Sequence, residues 1–299
     1  MKQPPSYLKL HENGVLEERA DKISGFLKKC VLCPHKCLVD RTAGETGKCR
    51  SGYRASVASF HGHFGEERCI SGSSGSGTIF FANCNLACVF CQNWDISHGG
   101  IGEKVSPDEL ARIMISLQNK GCHNINFVTP THVTASIVQA LPLAVDMGLR
   151  IPLVYNSGGY DSVEILKLLD GIIDIYMPDF KFMDGEQAFE LCGAEDYPES
   201  AQAALSEMHS QTGDLVKDSG GIAVQGVLVR HLVLPDNIAA TDRVLHFLAS
   251  FPGSMSVNIM DQYRPAHKAK NYKGLGRGVT LDEYDRALEL AEKLGLSPA

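Results

Sequence analysis

The sequence predicts an α/β fold in which helices cover a parallel sheet. From about residue 78 onwards, short runs of β-branched and aromatic residues alternate with segments of helical hydrophobic period. Such alternation is typical of βαβ units, which give parallel strands and right-handed crossovers. Six units occupy roughly 190 residues, too few for a closed eight-stranded barrel. Periodicity alone therefore leaves two architectures open, a partial barrel and a doubly wound sheet.

Each unit joins one predicted strand to the helix that follows it. The predicted strands cover residues 78–83, 124–129, 151–155, 172–177, 224–234 and 255–260. The predicted helices cover residues 106–121, 134–147, 162–170, 198–210, 241–250 and 280–294. The last helix begins after Thr280, whose hydroxyl is a suitable N-cap. A separate strand over residues 54–63 precedes the whole array.

The first 70 residues differ in composition from this array. Residues 30–53 are dense in Cys, Gly, Lys and Arg and lack periodic hydrophobic residues, which indicates a loop-rich segment held by bound ligands. The glycine- and serine-rich stretch SGSSGSG at 71–77 then leads into the first strand of the array. We therefore divide the chain into an N-terminal extension, residues 1–70, and an α/β domain, residues 71–299.

Composition and charge exclude several classes of protein. The chain of 299 residues is 44% hydrophobic, enough for a sizeable core. It has no run of about 18 apolar residues that could span a membrane, and its start, MKQPPSYLKL, contains no hydrophobic signal segment. We therefore expect a cytoplasmic protein that is not bound to membranes. The net charge of −7 makes nucleic-acid binding an unfavourable hypothesis, because such binding requires basic surface.

A loop with three cysteines directly after the first strand is the most informative motif. Cys84, Cys88 and Cys91 form a C-x3-C-x2-C pattern, and cysteines at this spacing in a cytoplasmic chain are typical metal ligands. Structural zinc and electron-carrying 4Fe–4S clusters take four ligands, so three local thiolates favour a cluster with one iron left open. Two alternatives remain from spacing alone. They are zinc completed by a distant histidine, and a cluster completed by a remote cysteine such as Cys69.

Four more cysteines lie close together in the N-terminal extension. Cys30, Cys33, Cys37 and Cys49 could supply a closed zinc site or a second, fully ligated iron–sulfur cluster. Either would stabilise a segment that is too small and polar to form its own core. The pattern leaves the metal open, and we favour structural zinc over an electron relay. The isolated Cys192 is interpreted as a small buried hydrophobic residue.

Polar residues follow the predicted strands at one edge of the sheet. In parallel sheets the functional residues collect at the carboxyl ends of the strands. That edge carries Cys84, Thr129 to His132, Asn156, Ser157, Asp179, Lys181, His231 to Pro235 and Gln262 to Arg264. We expect these side chains to surround one site.

Taken together, the motifs carry a resemblance to an enzyme family. In the loop CNLACVFCQN an aromatic residue, Phe90, precedes the third cysteine, and this pattern resembles the signature of the radical S-adenosylmethionine (SAM) enzymes. From Cys30 to Leu294 the chain resembles iron–sulfur proteins related to pyruvate formate-lyase activating enzyme. The segments that match are CVLCPHKC, SGSSGSGTIFFANCNLACVFCQN, FVTPTHV, YMPDFKF, VRHLVLP and MDQYRP.

The resemblance implies both a fold and a chemistry. The fold of the family is a partial (β/α)6 barrel of the TIM type, here preceded by the small cysteine-rich segment. Cys84, Cys88 and Cys91 would hold a 4Fe–4S cluster whose fourth iron binds the amino and carboxylate groups of SAM. One electron from the cluster would cleave SAM into methionine and a 5′-deoxyadenosyl radical, which abstracts hydrogen from a substrate.

The resemblance also implies a set of residues around SAM. These are Thr129, Thr131, Asn156, Ser157, Asp179, Lys181 and Arg230. Asp179 and Lys181 resemble the Asp-x-Lys motif of activating enzymes, and Arg230 lies where their fifth strand supplies an arginine. Thr129 and Thr131 stand where the family has a Gly-Gly-Glu type of motif, which is a departure. No further catalytic side chain is singled out.

The leading hypothesis is therefore a radical SAM oxidoreductase, which by analogy with the family activates a partner protein by forming a glycyl radical. Such an enzyme would bind SAM and a protein substrate, and it would take electrons from a donor such as flavodoxin or ferredoxin. One alternative is radical modification of another peptide, an RNA or a metabolite. The other is an iron–sulfur or zinc protein that acts as a scaffold or redox sensor without turnover.

Overall fold

Strands and helices alternate along most of the chain. The structure, a computed structural model, describes residues 4–298. Its strands are β1 (Ser56–His63), β2 (Ser76–Phe81), β3 (Glu103–Lys104), β4 (Ile125–Val128), β5 (Leu153–Asn156), β6 (Ile175–Tyr176), β7 (Val216–Lys217), β8 (Ala223–Leu232), β9 (Ser256–Met260) and β10 (Ser297–Pro298). Its α-helices are α1 (Tyr7–Glu12), α2 (Val15–Gly25), α3 (Arg68–Ser71), α4 (Trp94–Ser97), α5 (Pro107–Asn119), α6 (Thr134–Asp146), α7 (Val163–Leu169), α8 (Gly185–Cys192), α9 (Tyr197–Thr212), α10 (Thr241–Leu248) and α11 (Leu281–Lys293).

Six parallel strands form the frame of the molecule. They are β2, β4, β5, β6, β8 and β9, and they neighbour one another in chain order. A doubly wound sheet would reverse this order at its centre. The sheet continues into the antiparallel β1 beside β2 and the parallel β10 beside β9, so its two ends stay separate. The predicted partial (β/α)6 barrel is therefore confirmed.

The crossover helices begin where their capping residues predict. At α5, the Ser106 hydroxyl accepts from the Glu109 amide, and Glu109 accepts in return from the Ser106 amide. Thr280 and Glu283 form the same reciprocal cap at α11, so the predicted N-cap is confirmed. The apolar stripe of α5, which includes Leu110, faces the sheet and is fully buried.

The N-terminal extension is joined to the barrel by packing and by strand pairing. Helix α2 packs on α6 and buries Leu16 and Ile23, while the Tyr7 hydroxyl donates to the carbonyl of Ile151 at 2.8 Å. Residues 30–55 contain only turns and one 3-10 helix, as a loop-rich segment predicts. The predicted boundary at residue 70 falls between β1 and β2, which are antiparallel neighbours in one sheet. The division into two domains stays a prediction.

Several elements differ from the prediction, which did not include helices α1 to α4 or the short strands β3, β7 and β10. The strand predicted over 172–177 is reduced to β6. Just before it, the buried Asp174 carboxylate accepts from the backbone amide of Leu153 at 2.8 Å. Helix α8 was not predicted at all. Its N-cap is Asp184, which accepts from the Gln187 amide at 3.0 Å, and the left-handed Gly193 ends it. Among the described residues, no helix is both long and apolar enough to cross a bilayer.

Candidate active site

A cavity of about 280 Å³ lies at the carboxyl ends of the barrel strands. The sequence predicted ten residues to bind the cluster or SAM, and nine of them line this cavity. These nine are Cys84, Cys88, Cys91, Thr129, Asn156, Ser157, Asp179, Lys181 and Arg230. The cavity wall is completed by apolar and amide side chains, including Leu86, Phe90, Gln92, Leu232 and Met260. Parallel pairing explains the convergence, since it brings all strand ends to one edge.

Backbone hydrogen bonds beyond the strand ends hold the polar residues in register. The Thr129 amide donates to the Asn156 carbonyl at 2.8 Å, and the Asp179 amide donates to the Ser157 carbonyl at 2.9 Å. An isolated parallel bridge pairs Asp179 with Arg230. Because backbone hydrogen bonds continue past the strand ends, they fix the relative positions of residues that lie far apart in sequence.

Thr131 is the one predicted SAM contact that the cavity excludes. Its hydroxyl donates to the buried Asp161 carboxylate at 2.7 Å, and the Ser157 hydroxyl donates to the same group at 2.6 Å. The chain turns away after β4 because Thr129 adopts a left-handed conformation, with φ +60°. That conformation costs a non-glycine residue about 1–3 kcal/mol and is often found at binding sites. Thr131 thus supports Ser157 from behind, through Asp161.

The three-cysteine loop is fastened on several sides. The Ala87 amide donates to the Cys192 carbonyl at 2.8 Å, and the Lys268 amide donates to the Val89 carbonyl at 2.8 Å. The Asn85 side chain donates to the Tyr160 carbonyl at 2.8 Å. These contacts explain how a loop of eight residues presents its sulfurs to one cavity.

Burial and a neighbouring thiol set the pKa values of the three cysteines. Burial raises the pKa of Cys84 to about 12 and also raises the pKa of Cys91. A hydrogen bond from Cys192 lowers the pKa of Cys88 despite its burial. Neutral, buried thiols become thiolates when a metal centre replaces their protons. Among the described residues that line the cavity, no histidine and no fourth cysteine accompanies these three.

A buried group of charges occupies the cavity wall opposite the loop. Asp179 accepts from the Lys181 ammonium at 2.6 Å and from Arg230 Nε at 2.9 Å. Arg230 also donates to Asn156 Oδ1 at 2.6 Å and lies 3.4 Å from Glu66 Oε2. Burial alone would raise the pKa of Asp179, but the charges of Arg230 and Lys181 outweigh it and hold that pKa below its usual value. The site thus offers cations for a carboxylate and oxygen acceptors for a diol.

Some edge residues do not face the cavity. His231 is fully buried between the Phe180 carbonyl, 2.7 Å from its Nδ1, and the Thr241 hydroxyl, 2.9 Å from its Nε2. Burial lowers the pKa of His231 to about 4, so it stays neutral. Cys69 belongs to a separate apolar cluster with Val154, so it does not complete the cysteine loop.

Two contributors to the site are not indicated by any sequence signal. Glu66 reaches Arg230 although 164 positions separate them, and burial raises its pKa. Cys192 is buried, as predicted, but its thiol also contacts Cys88. The interpretation as a simple packing residue is therefore incomplete. Only the folding of α3 and α8 against the barrel brings these two side chains to the site.

The four N-terminal cysteines form a second group beside the first. Cys30, Cys33 and Cys49 are buried and Cys37 is half-buried. Burial raises the pKa of Cys33, and the neighbouring Cys49, Cys30 and Cys37 raise it further, so the four thiols lie close together. The amide of Lys48 donates to the Cys37 sulfur at 3.3 Å.

Comparison with known proteins identifies the family. Residues 78–210 match the model of the radical SAM superfamily. An uncharacterized protein from Methanocaldococcus jannaschii is 35% identical over 293 residues, which cover 95% of this chain and 80% of that protein. The chain belongs to the radical SAM superfamily. A radical SAM methyltransferase from Sphaerobacter thermophilus is similar in structure, with a TM-score of 0.49 and 12% identity over 74% of this chain. The chain covers 65% of the length of that methyltransferase.

Membership of the radical SAM superfamily implies a 4Fe–4S cluster and SAM as cofactors, and the donor set fits both. The cavity presents three thiols for a cluster that must keep one iron free. Lys181 and Arg230 match the carboxylate of SAM, while Asn156 and Ser157 can bond its ribose hydroxyls.

Proposed function

We propose that this radical SAM protein is an oxidoreductase that cleaves SAM reductively and abstracts hydrogen from a substrate. One observation carries the proposal: three cysteines line the described cavity without a fourth cysteine or a histidine, together with a group of cations and hydrogen-bonding oxygens. A cluster ligated by three thiolates keeps an iron free for SAM. Once bound, the cluster would supply the electron that splits SAM into methionine and a 5′-deoxyadenosyl radical.

The residues of this chain bind and orient the cofactor. Lys181 and Arg230 hold the methionine carboxylate, and Asp179 keeps both cations in place when the cavity is empty. Asn156 and Ser157 bind the ribose, and Ser157 is itself fixed by its hydrogen bond to the buried Asp161. The apolar wall near Phe90 and Met260 excludes water from the reacting carbon.

The proposed hydrogen donor is a backbone glycine of a partner protein. This proposal rests on the resemblance of the cysteine loop, Asp179-x-Lys181 and Arg230 to activating enzymes. A flavodoxin or ferredoxin is the proposed electron donor. We also propose that Cys30, Cys33, Cys37 and Cys49 bind a metal centre of their own, whose identity is argued below.

Formation of 5′-deoxyadenosine tests the reaction. The anaerobically reconstituted protein, supplied with dithionite and SAM, should release it, whereas Cys88→Ala should lose both the cluster and the product. Cys122→Ala is the matched control, because Cys122 is also buried but does not line the cavity. A wild-type protein with a full cluster and no product would favour the scaffold or sensor hypothesis. Product from Cys88→Ala would contradict the three-thiolate site.

Isotope transfer tests the proposed hydrogen donor. Cells are grown anaerobically on α-deuterated glycine. The proteins of their extract are then incubated with the loaded enzyme, SAM and reductant. Mass spectrometry should then find deuterium in 5′-deoxyadenosine. Deuterium that arises instead from labelled RNA or from the small-molecule fraction would replace glycine with one of the alternative substrates.

A further inference from the structure

A buried arginine beside the four N-terminal cysteines has no negatively charged partner among the described residues. Arg41 is only 2% exposed, and its guanidinium lies beside Cys30, with Nη1 3.9 Å from the sulfur. Its other partners are neutral carbonyls, those of Gly52 at 2.9 Å and His132 at 2.8 Å. Within residues 4–298, no carboxylate pairs with Arg41. A buried cation normally requires an anion nearby.

A metal bound by the four thiolates would supply that anion. Four thiolates around a core of about +2 charge leave a net charge of about −2, whether the core is zinc or iron–sulfur. Neutral thiols would leave the Arg41 charge uncompensated. The buried guanidinium is therefore an observation, independent of cysteine spacing, that points to a bound metal centre.

The spacing of the sulfurs favours a cluster over zinc. Zinc–sulfur bonds of about 2.3 Å bring the ligands of a tetrahedral site to about 3.8 Å from one another. Across residues 4–298, no three His, Cys, Asp or Glu side chains are arranged to hold one metal ion. In a 4Fe–4S cluster each thiolate binds a different iron, so the sulfurs stand farther apart. Cys84, Cys88 and Cys91 likewise form no single-ion site.

Two contacts connect the N-terminal group to the SAM-cluster loop. His35, two residues after Cys33, places Nε2 2.8 Å from the carbonyl of Asn85, which adjoins Cys84. The His35 ring also packs edge-on against Tyr160, with centroids 5.0 Å apart.

The second contact lies on the other side of the loop. Arg50, which follows Cys49, donates from Nη2 to the Ser97 carbonyl at 2.7 Å, and the Ser97 hydroxyl lies 3.1 Å from the Cys91 sulfur. Two short chains of covalent and hydrogen bonds thus join the two cysteine groups, one through His35 and one through Arg50.

We propose that Cys30, Cys33, Cys37 and Cys49 bind a second, fully ligated 4Fe–4S cluster, and that its electron reaches the SAM cluster through the contact between His35 and Asn85. A one-electron protein donor of the ferredoxin or flavodoxin class is oxidised by one electron. The N-terminal cluster accepts that electron and passes it on, so it returns to its starting state. The SAM cluster gains one electron, and no bond or proton moves. The relay rests on the proposed function, whereas the cluster itself does not.

Metal analysis tests the second cluster independently of SAM chemistry. Wild-type protein should contain about eight iron atoms per chain, and the Cys84/Cys88/Cys91→Ala triple variant about four with matching sulfide. The Cys33→Ser/Cys37→Ser variant should keep about four irons at the other site, and Cys122→Ser should keep all of them. A folded triple variant that holds zinc, or no metal, overturns the proposal. If the triple variant holds iron but the wild-type protein forms no 5′-deoxyadenosine, only the proposed function is rejected and the second cluster stands.

The Arg41 charge gives a spectroscopic test. A positive charge stabilises the reduced, more negative cluster, so Arg41→Gln should shift the potential of the N-terminal cluster to a more negative value. Arg41→Lys should preserve it, and the SAM cluster should be unaffected in both variants. Redox titration followed by EPR measures each potential, and an equal shift at both clusters, or none, overturns the role of Arg41.

The contact through His35 is tested by reduction kinetics. His35→Ala should slow reduction of the SAM cluster by flavodoxin, measured by freeze-quench EPR, with iron content unchanged. His35→Gln keeps a donor toward the Asn85 carbonyl and should restore most of the rate. Dithionite, which is small enough to reach either cluster, should reduce wild type and His35→Ala at equal rates. Equal rates with flavodoxin as well would overturn the relay.

Discussion

Asp179 is the residue on which the charge balance of the cavity depends. It is the anionic partner of both Lys181 and Arg230, and the side chains of all three are less than one-fifth exposed. Burial makes such a group sensitive to loss of one partner, because the remaining charges keep their desolvation cost without compensation. The arrangement therefore holds in place the two cations that we propose to bind SAM.

We expect Asp179→Asn to lower the free energy of unfolding by about 3 kcal/mol, since the buried Lys181 loses its counter-charge and Arg230 keeps only Glu66. Asp184→Asn is the matched control. Asp184 pairs with Arg243 at 3.9 Å on the surface, and asparagine keeps its N-cap role, so the loss there should stay below about 1 kcal/mol. Urea unfolding measures both variants. Equal losses of stability in the two variants would show that the buried charges stabilise the protein no more than a surface ion pair does.

Gly159 controls the geometry of the strand ends. It has a φ of +80°, and a Cβ there would overlap the backbone carbonyl oxygen of Asp179. Gly159→Ala should therefore displace the end of the fourth barrel strand, weaken SAM binding and destabilise the protein by about 2–4 kcal/mol.

Gly148→Ala is the control for Gly159→Ala. Gly148 has a φ of +98° and nothing within 4 Å of a Cβ, so only the backbone cost of about 1 kcal/mol should appear. SAM binding by equilibrium dialysis and thermal unfolding provide the measurements. If both variants bound SAM as wild type does, the close approach of Gly159 to Asp179 would not matter for the site.

At the scale of elements, helix signals were the most reliable. The capping box of α11 and that of α5 lie where Ser or Thr precedes Glu by three residues, and both helices begin there. Helix α8 carried comparable signals, Asp184 before it and Gly193 after it, but only eight residues lie between them. Strand β6 is shorter than predicted, although the backbone of Asp174 just before it still bonds to both neighbouring strands.

The cap of α11 gives a prediction about one element. Thr280→Ala removes the hydroxyl that accepts from the Glu283 amide, so the free energy of unfolding should fall by about 1 kcal/mol. Thr280→Ser keeps the hydroxyl and should retain most of this stability. Thermal unfolding of the wild type, Thr280→Ala and Thr280→Ser measures these differences in stability. A serine variant as unstable as the alanine variant would assign the effect to the methyl group instead.

At the scale of the whole molecule, buried titratable groups make stability depend on pH. Burial lowers the pKa of both His132 and His231 to about 4, against about 6.5 for an unfolded histidine. Between these values the unfolded chain binds protons that the folded chain excludes. The contribution of each histidine is therefore complete above pH 6.5 and is lost as pH falls toward 4, by up to about 3 kcal/mol.

Replacing His231 by glutamine should flatten this acid dependence. The stability difference between wild type and His231→Gln, measured by urea unfolding, should shrink between about pH 7 and pH 5. The matched control is His246→Gln, at an exposed histidine whose ring bonds the Asp242 carbonyl within α10. An unchanged slope in His231→Gln would mean that this histidine charges without cost in the folded protein.

Asp174 should act in the opposite direction. Burial raises its pKa to about 7, so between about pH 4 and pH 7 the folded chain keeps a proton that the unfolded chain has lost. Stability from this group therefore falls as pH rises through that window. Asp174→Asn removes the effect, and its stability relative to wild type should increase from about pH 5 to pH 8. A difference that stays constant with pH would place the raised pKa in doubt.

The sequence by itself determined the order of the barrel units, the helix caps, the two cysteine groups and nine residues that line the cavity. These features are local, or they follow from parallel pairing, which brings every strand end to one edge. The resemblance was needed to choose the partial barrel, because hydrophobic period is the same in a barrel and in a doubly wound sheet.

Only the tertiary structure decided which distant groups meet. It placed Glu66 against Arg230, Cys192 against Cys88 and His35 against the cluster loop, and it directed Thr131 and His231 away from the cavity. No local pattern encodes these contacts, since each depends on how separate elements pack and on which side of a turn a side chain emerges. The buried charge of Arg41 likewise became informative only when folding removed it from water.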